Sequence, residues 1–312
     1  MKGKWIIKAL VQKTISFLPW SHRINTFFQK HITGGFYLDD AHFSQKLQHA
    51  REHLDYLHAH GRPDPSCRIL ELGTGWYPVV PILFYLTGAG EVSSIDIRPW
   101  MTRDTQQNTI LKYKEWKQRG LLQDVWPLVD RQRWDQLMQV AEHPEQYSRS
   151  ELNRLMGLHP LLQDARKLDL PQHSMDFICS NNTFEHIPEA ILQDILLEFK
   201  RVLKPGGLMS HFIDMSDHFA HSDTHITIYN FLRFSRLAWK LMDNSIQPQN
   251  RMRLRDYREL YARLDIPSRE LSVRPGDLDA LDSIHIHQEF AAYSREELAV
   301  SHATMLSLFR HP

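Results

Sequence analysis

An α/β fold built on a doubly wound, mostly parallel sheet is predicted for this chain by three observations. Short apolar runs alternate with amphipathic helical stretches, the first run passes through a glycine-containing turn into an apolar helix, and no internal repeat interrupts the pattern. The 312 residues are ample for a buried core, and 42% hydrophobic with 24% charged is a globular composition. The 37 basic and 37 acidic residues balance, which argues against a chain-wide nucleic-acid footprint.

The first 38 residues hold Lys2, Lys4, Lys8, Lys13, Arg23 and Lys30 and no acid, so the rest of the chain is net acidic by six charges. Trp5, Ile6, Leu10, Lys13 and Phe17 recur at helical spacing. A basic amphipathic helix is therefore expected in a helical extension over 1–38. Three readings stay open for it: contact with an anionic membrane or an amphipathic substrate through residues 1–20, a lid helix with its lysines in water, or an organellar transit peptide. The apolar run is broken by Lys8, Gln12 and Lys13, which does not suit a signal peptide, and no stretch approaches the roughly 20 apolar residues of a membrane span. A cytoplasmic location, with a peripheral membrane variant, is the expectation. Cys67 and Cys179 lie in or beside apolar runs and read as buried core residues.

Residues 40–60 predict a second helix, with Phe43, Leu47, Ala50, Leu54 and Leu57 as its apolar stripe and Gly61-Arg62-Pro63 as its end. His42, His49, His53 and His60 are expected on its solvated face. His49 and His53 have the spacing of a metal pair but no evident third ligand, and no metal is expected. Strands follow at 68–72, 91–97, 161–165, 175–181 and 207–214, with helices at 79–88 and 188–203, and late strands at 269–275 and 301–309. Segments 98–160 and 215–267 exceed what such a sheet needs. They are expected as inserted substrate cover within one domain spanning 39–312.

The first turn carries the chemistry. Gly73 and Gly75, with Thr74 between them, let the backbone approach a ligand. Glu71 stands two residues before the loop. Asp96 ends the next strand 21 residues after Gly75, where a carboxylate takes a ribose diol. Asp164 stands at the end of the third strand, where an acid accepts from an exocyclic amine. Three acids around a glycine turn make a nucleoside site and would repel a pyrophosphate, which tells against NAD.

RILELGTGW, SSIDI, DARKLDLPQHSMDFICSNNTFEHI and EFKRVLKPGGLM, in that order, resemble the class I S-adenosylmethionine-dependent methyltransferase family over residues 65–214. The resemblance implies a Rossmann-like fold and S-adenosyl-L-methionine as cofactor. It implies Gly73 and Gly75 under the methionine part, Asp96 on the ribose, Asp164 with Ala165 on the adenine, and Asn181 beside the sulfonium. Where that family has a small residue two positions after Gly75, this chain has Tyr77.

A methyl acceptor with a proton to lose needs a base. Glu185-His186 follows the fourth strand, and the run SHFIDMSDHFAHSDTHIT packs His211, Asp214, Asp217, His218, His221, Asp223 and His225 together. His218, His221 and His186 are the candidate catalytic residues. Asp-His-x-x-His also has metal-ligand chemistry, and a polar substrate loop with neither role is a third reading. Asn250, Arg251 and Arg253 suit either a sugar, carboxylate or phosphate on the acceptor, or pins between helix and core. The expected reaction is methyl transfer to O or N of a small-molecule, glycan or lipid-linked acceptor. Aminopropyl transfer on the same fold and a non-catalytic cofactor-binding partner subunit are the alternatives.

Overall fold

The computed structural model describes residues 3–17, 38–61, 63–245 and 247–309. The elements run α1 (Lys4–Ser16), α2 (Asp40–His58), β1 (Arg68–Leu72), α3 (Val79–Leu86), β2 (Glu91–Asp96), α4 (Arg103–Gln118), α5 (Arg131–Glu142), α6 (Arg149–Leu155), β3 (Leu158–Leu162) and β4 (Met175–Asn181). They continue with α7 (Glu189–Val202), β5 (Leu203–Asp214), α8 (Arg236–Met242), α9 (Leu254–Arg263), β6 (Arg269–Arg274), α10 (Leu278–Asp282), α11 (Arg295–Ala299) and β7 (His302–Leu308). The seven strands are ordered β3-β2-β1-β4-β5-β7-β6. β1 pairs in parallel with β2 and β4, β2 with β3, and only the β6–β7 pairing is antiparallel among those described. The strand order reverses between β1 and β4, which is where sheets of this kind bind ligands.

Packing divides the chain into two units. The glycine-loop unit comprises 38–181, 194–211 and the last residues from 307. Its central strands β1 and β4 are buried on both faces, as a parallel sheet covered by helices requires. All eight residues of α3 are buried, and Pro78 stands at its N-terminus. Asp39 caps α2 by accepting from the His42 amide. Segment 98–160, expected as substrate cover, instead supplies core: Ile110, Tyr113, Leu137 and Leu152 are fully buried against the α3 and β1 side chains. A crossover of this length earns its length by packing, since α4–α6 carry amphipathic faces that the sheet buries.

The histidine unit comprises 3–17, 182–193 and 212–306 as described. Its core joins Trp5 and Ala9 of α1 to Phe219, Tyr229, Phe231, Leu232 and Trp239. The predicted helix at 4–16 is present, and 18–37 of the expected extension lies outside the described residues. α1 therefore belongs to a packed unit, a division that differs from 1–38 set against 39–312. Segment 215–267 likewise forms core in this unit. No helix among the described residues is long and apolar enough to cross a membrane.

Three local expectations are corrected. The third strand is Leu158–Leu162 and not 161–165, because Pro160 sits in the strand and pairs with Ser94. β3 lies at the sheet edge, where a proline costs no interior ladder bond. The fifth strand begins at Leu203, with Gly206 N–H donating to Phe309 O. His49 and His53 are buried, not solvated, because they sit beside the Leu47–Leu54 stripe on the face that packs inward.

Candidate functional site

Register brings the carboxyl ends of three strands level: Leu72 pairs with Ile95 and with Ser180. Gly73, Asp96 and Asn181 thus leave the sheet at one edge. Gly73 and Gly75 both have positive φ, at 77° and 71°. The Gly73 amide donates to Ile95 O, so the loop folds back onto β2. A Cβ placed on Gly75 would meet nothing within 4 Å, so the loop opens there onto free space. Asp96 Oδ2 accepts from the Gly75 amide at 3.1 Å, which fixes the carboxylate beside that space.

Behind the loop runs a continuous polar chain. The Ser210 hydroxyl donates to His53 Nδ1 at 2.9 Å, and His53 Nε2–H donates to Asn181 Oδ1 at 3.0 Å. Burial holds His53 down to about 4, so its imidazole is neutral near pH 7 and can act in that tautomer. The Thr74 hydroxyl donates to Glu71, with the Asn181 side chain close by, and the Ser94 hydroxyl donates to Thr74 at 2.6 Å. Glu71 is buried, so this predicted cofactor contact instead orients Thr74.

Lys46, which sequence reasoning missed, reaches into the same place from α2. Its ammonium lies 3.4 Å from Thr74 O and faces Glu71 and Asp96. Burial pushes Glu71 up to about 7, against Lys46 and the Thr74 hydroxyl. Burial also pushes Asp96 up to about 6, against the Gly75 amide and Lys46. Lys46 is itself pushed down by burial and drawn up by both acids. The three form one electrostatic cluster at the glycine loop.

Asp164 is placed differently from expectation. It lies past the end of β3, exposed, and its carboxylate takes the Arg166 amide and guanidinium, each at 3.0 Å or closer. Ala165 beside it is buried. The adenine-side pair is thus present with its acid already paired.

The fifteen-residue histidine run separates into parts. His211 belongs to the glycine-loop unit, where Nδ1 bonds the Ser180 hydroxyl and the ring stacks on Phe199. In the histidine unit, Asp217 takes the Phe219 amide and the Asn230 side chain, and Asp223 takes the amides of Trp5 and His225. Those acids build local structure. His186, His218 and His221 do converge: the His186 and His218 rings are 4.9 Å apart, and His221 stacks on His218 at 5.4 Å. Burial lowers His186 to about 4 and lowers His221, so both stay neutral at pH 7. Burial pushes Asp214 up, but contacts with His218 at 3.5 Å and His302 at 3.4 Å outweigh it and hold the carboxyl well below the usual range.

A strap over 247–250 holds this turn. His186 Nδ1–H donates to Pro248 O at 2.7 Å, and Asn250 gives its side-chain N–H to Phe184 O and Ile187 O. Arg251 donates to Phe231 O and Phe234 O, while the fully buried Arg253 donates to Met215 O, Leu298 O and Val300 O. Of the two open readings for these residues, the structure shows pins, chiefly to carbonyls, with Arg251 also 3.8 Å from the Glu289 carboxylate. Beside the strap, a cleft of about 600 Å³ is lined by His186, Glu189, Arg236, Lys240, Asp243 and Glu289 among others.

The methyltransferase-domain family model matches residues 133–210, a quarter of the chain. No curated protein matches the chain in sequence. Among solved structures, the chain resembles a Galdieria sulphuraria protein assigned as a sarcosine dimethylglycine methyltransferase (18% identity, TM-score 0.45, 85% of this chain and 86% of that one). It also resembles the YcgJ protein of Bacillus subtilis (12%, 0.45, 84% and 100%) and a geranyl diphosphate methyltransferase in complex with SAM (11%, 0.43, 87% and 92%). Likeness of this degree carries nothing about the acceptor.

Proposed function

We propose that this chain, a class I S-adenosylmethionine-dependent methyltransferase, moves a methyl group to an oxygen or nitrogen of a small-molecule, glycan or lipid-linked acceptor. The observation that carries the reading is the glycine loop: an open space at Gly75 with the Asp96 carboxylate fixed at its rim. That space and its donors fit the cofactor. Gly73, Thr74 and Gly75 present backbone, Asp96 accepts from a ribose diol, and Asn181 offers its amide at the end of β4. Ala165 with Asp164 takes the adenine side, with Asp164 exchanging Arg166 for an exocyclic amine. Lys46 supplies the positive charge that a methionine carboxylate needs, in a loop where Tyr77 replaces a small residue.

When bound, the cofactor supplies a methyl group on a sulfonium that is its own leaving group. The chain aligns the partners and moves one proton. We assign that proton to His221, which is neutral and stacked on His218, with His218 and His186 behind it. A neutral imidazole is the form that can accept a proton from an acceptor hydroxyl or amine.

Polar and mixed-charge lining of the 600 Å³ cleft supports a polar, hydroxylated acceptor. Four acids (Glu189, Asp243, Asp256, Glu289) alternate there with Arg236, Lys240 and Arg251. A polyamine would call for acids alone, so the aminopropyl reading is not favoured. Peripheral membrane contact is supported by α1, which turns Trp5 inward between Phe219 and Phe234 and leaves Ile6, Ile7, Leu10, Val11 and Phe17 exposed. Incubation of purified protein with cell extract and radiolabelled cofactor tests the function. A labelled product that Asp96→Ala abolishes is expected, and no labelled product from any extract would sink the reading.

A further inference from the structure

Glu185 is 2% exposed, and neither of its carboxylate oxygens has a hydrogen-bond partner. Its own amide and that of Asp214 lie near enough to act on it without meeting bonding geometry. No cationic side chain pairs with it among the described residues, and Asp214 adds a second negative group to its surroundings. An isolated buried carboxylate is costly, and structures that retain one generally pair it or place it on a metal.

The neighbours of Glu185 are metal-binding side chains. One donor atom from each of Glu185, His186 and His218 lies within 4.8 Å of the other two. His186 gives its Nδ1–H to Pro248 O, so Nε2 carries the free lone pair. That is the arrangement of metal-ligating histidines, whose second ring nitrogen is oriented by a carbonyl or carboxylate. His218 Nε2 is buried without a hydrogen-bond partner and stands 3.5 Å from Asp214 Oδ2, so a fourth donor is at hand. The same strap holds both segments: Gln249 accepts from the His218 main-chain amide, and Asn250 accounts for the carbonyls on either side of Glu185 and His186.

We propose that Glu185, His186 and His218 bind a divalent transition-metal ion. Two imidazoles and one carboxylate select zinc or a neighbouring first-row ion over magnesium or calcium, which prefer oxygen-only sites. Bonds of about 2.0–2.1 Å require the donors to draw closer than they stand, and rotation of the Glu185 and His218 side chains supplies that closure. Three protein ligands leave a coordination position open. A hydroxyl bound there would lose its proton more readily, leaving His221 to receive it. This departs from the sequence-level expectation of no metal, because Glu185 and His218 are distant in the chain. It stands independently of the methyl-transfer reading, since binding is read without any acceptor.

The test uses the full chain, stripped with a chelator and titrated with Zn²⁺, and with Co²⁺ for its visible absorption bands. One equivalent bound with a tetrahedral or five-coordinate Co²⁺ spectrum is expected. Glu185→Gln and His218→Asn, which preserve shape, are expected to weaken binding at least tenfold and to abolish the spectrum. His60→Ala, an exposed histidine outside the cluster, is expected to leave both unchanged. Melting of the stripped variants shows that each is folded. Should E185Q and H218N bind Zn²⁺ as tightly as the parent, the ion sits on other histidines and the proposal fails. It fails equally if the stripped parent binds no ion, or responds to Mg²⁺ alone.

Discussion

Glu71 and Glu185 are both buried carboxylates near the ends of strands, each inside its own unit, and each is surrounded differently. Glu71 accepts from the Thr74 hydroxyl and faces the Lys46 ammonium. Glu185 has Asp214, His186 and His218 for neighbours and no internal countercharge. The first site carries its own positive charge, the Lys46 ammonium, beside its acids. The second lacks one, and a cation from solution is what completes it. Arg253 marks a third solution in the same unit as Glu185: its buried guanidinium is completed by main-chain carbonyls.

The largest effect is expected where that completion is broken from inside. Arg253→Leu leaves the carbonyls of Met215, Leu298 and Val300 without donors, and a loss of about 3–5 kcal/mol is expected in urea unfolding. A loss below about 1 kcal/mol would show that these carbonyls find water instead.

Chelation separates the two carboxylate sites next. With zinc at about 100 times its dissociation constant, the linkage gain is about 2.7 kcal/mol. For a chain of this size a chelator is then expected to lower Tm by about 4 °C in the parent, and not in Glu185→Gln. Glu71→Gln is expected to keep the full chelator response, because its site holds no ion. An equal response in both variants would erase the contrast between the sites.

Lys46→Met comes third. Loss of one charge-assisted contact is expected to weaken cofactor binding about tenfold by calorimetry. No change would mean the ammonium serves only Glu71 and Asp96.

The smallest effects are those of pH. In the proposed site Asp96 accepts both ribose hydroxyls best as the anion, and burial pushes it up to about 6. Cofactor affinity is therefore expected to fall as pH drops below 6, and Asp96→Asn is expected to bind weakly at every pH. Glu71 is raised on folding to about 7, so the stability it contributes is complete below its unfolded value and fades as pH climbs to 7. Glu71→Gln is expected to flatten that stretch of the stability curve. An unchanged slope would place the titration elsewhere.

The glycine-loop site was legible in the sequence because its parts are local: Gly73, Gly75 and Asp96 belong to one strand-turn-helix-strand unit whose spacing is set by backbone geometry. Lys46 was not legible, since it reaches Thr74 from a helix 28 positions earlier and nothing in the α2 pattern sets it apart from a surface lysine. His53 was misread for the opposite reason. Its polar character suggested solvent, whereas Ser210 and Asn181 satisfy both ring nitrogens inside the unit. The pairing of Asp164 with Arg166 was not legible, because sequence shows the acid and not the side chain that folds back onto it. The third strand was misplaced because Pro160 reads as a break unless the strand is known to be an edge. The convergence of Glu185 with His218 needed the fold itself.

Binding of S-adenosylhomocysteine, followed by isothermal calorimetry in the parent and in Asp96→Ala, tests the cofactor site most directly. One site per chain is expected in the parent, with at least thirtyfold weaker binding in the variant at an unchanged Tm. Equal affinity in both proteins, or no binding by the parent, would contradict the assignment of the glycine loop and Asp96.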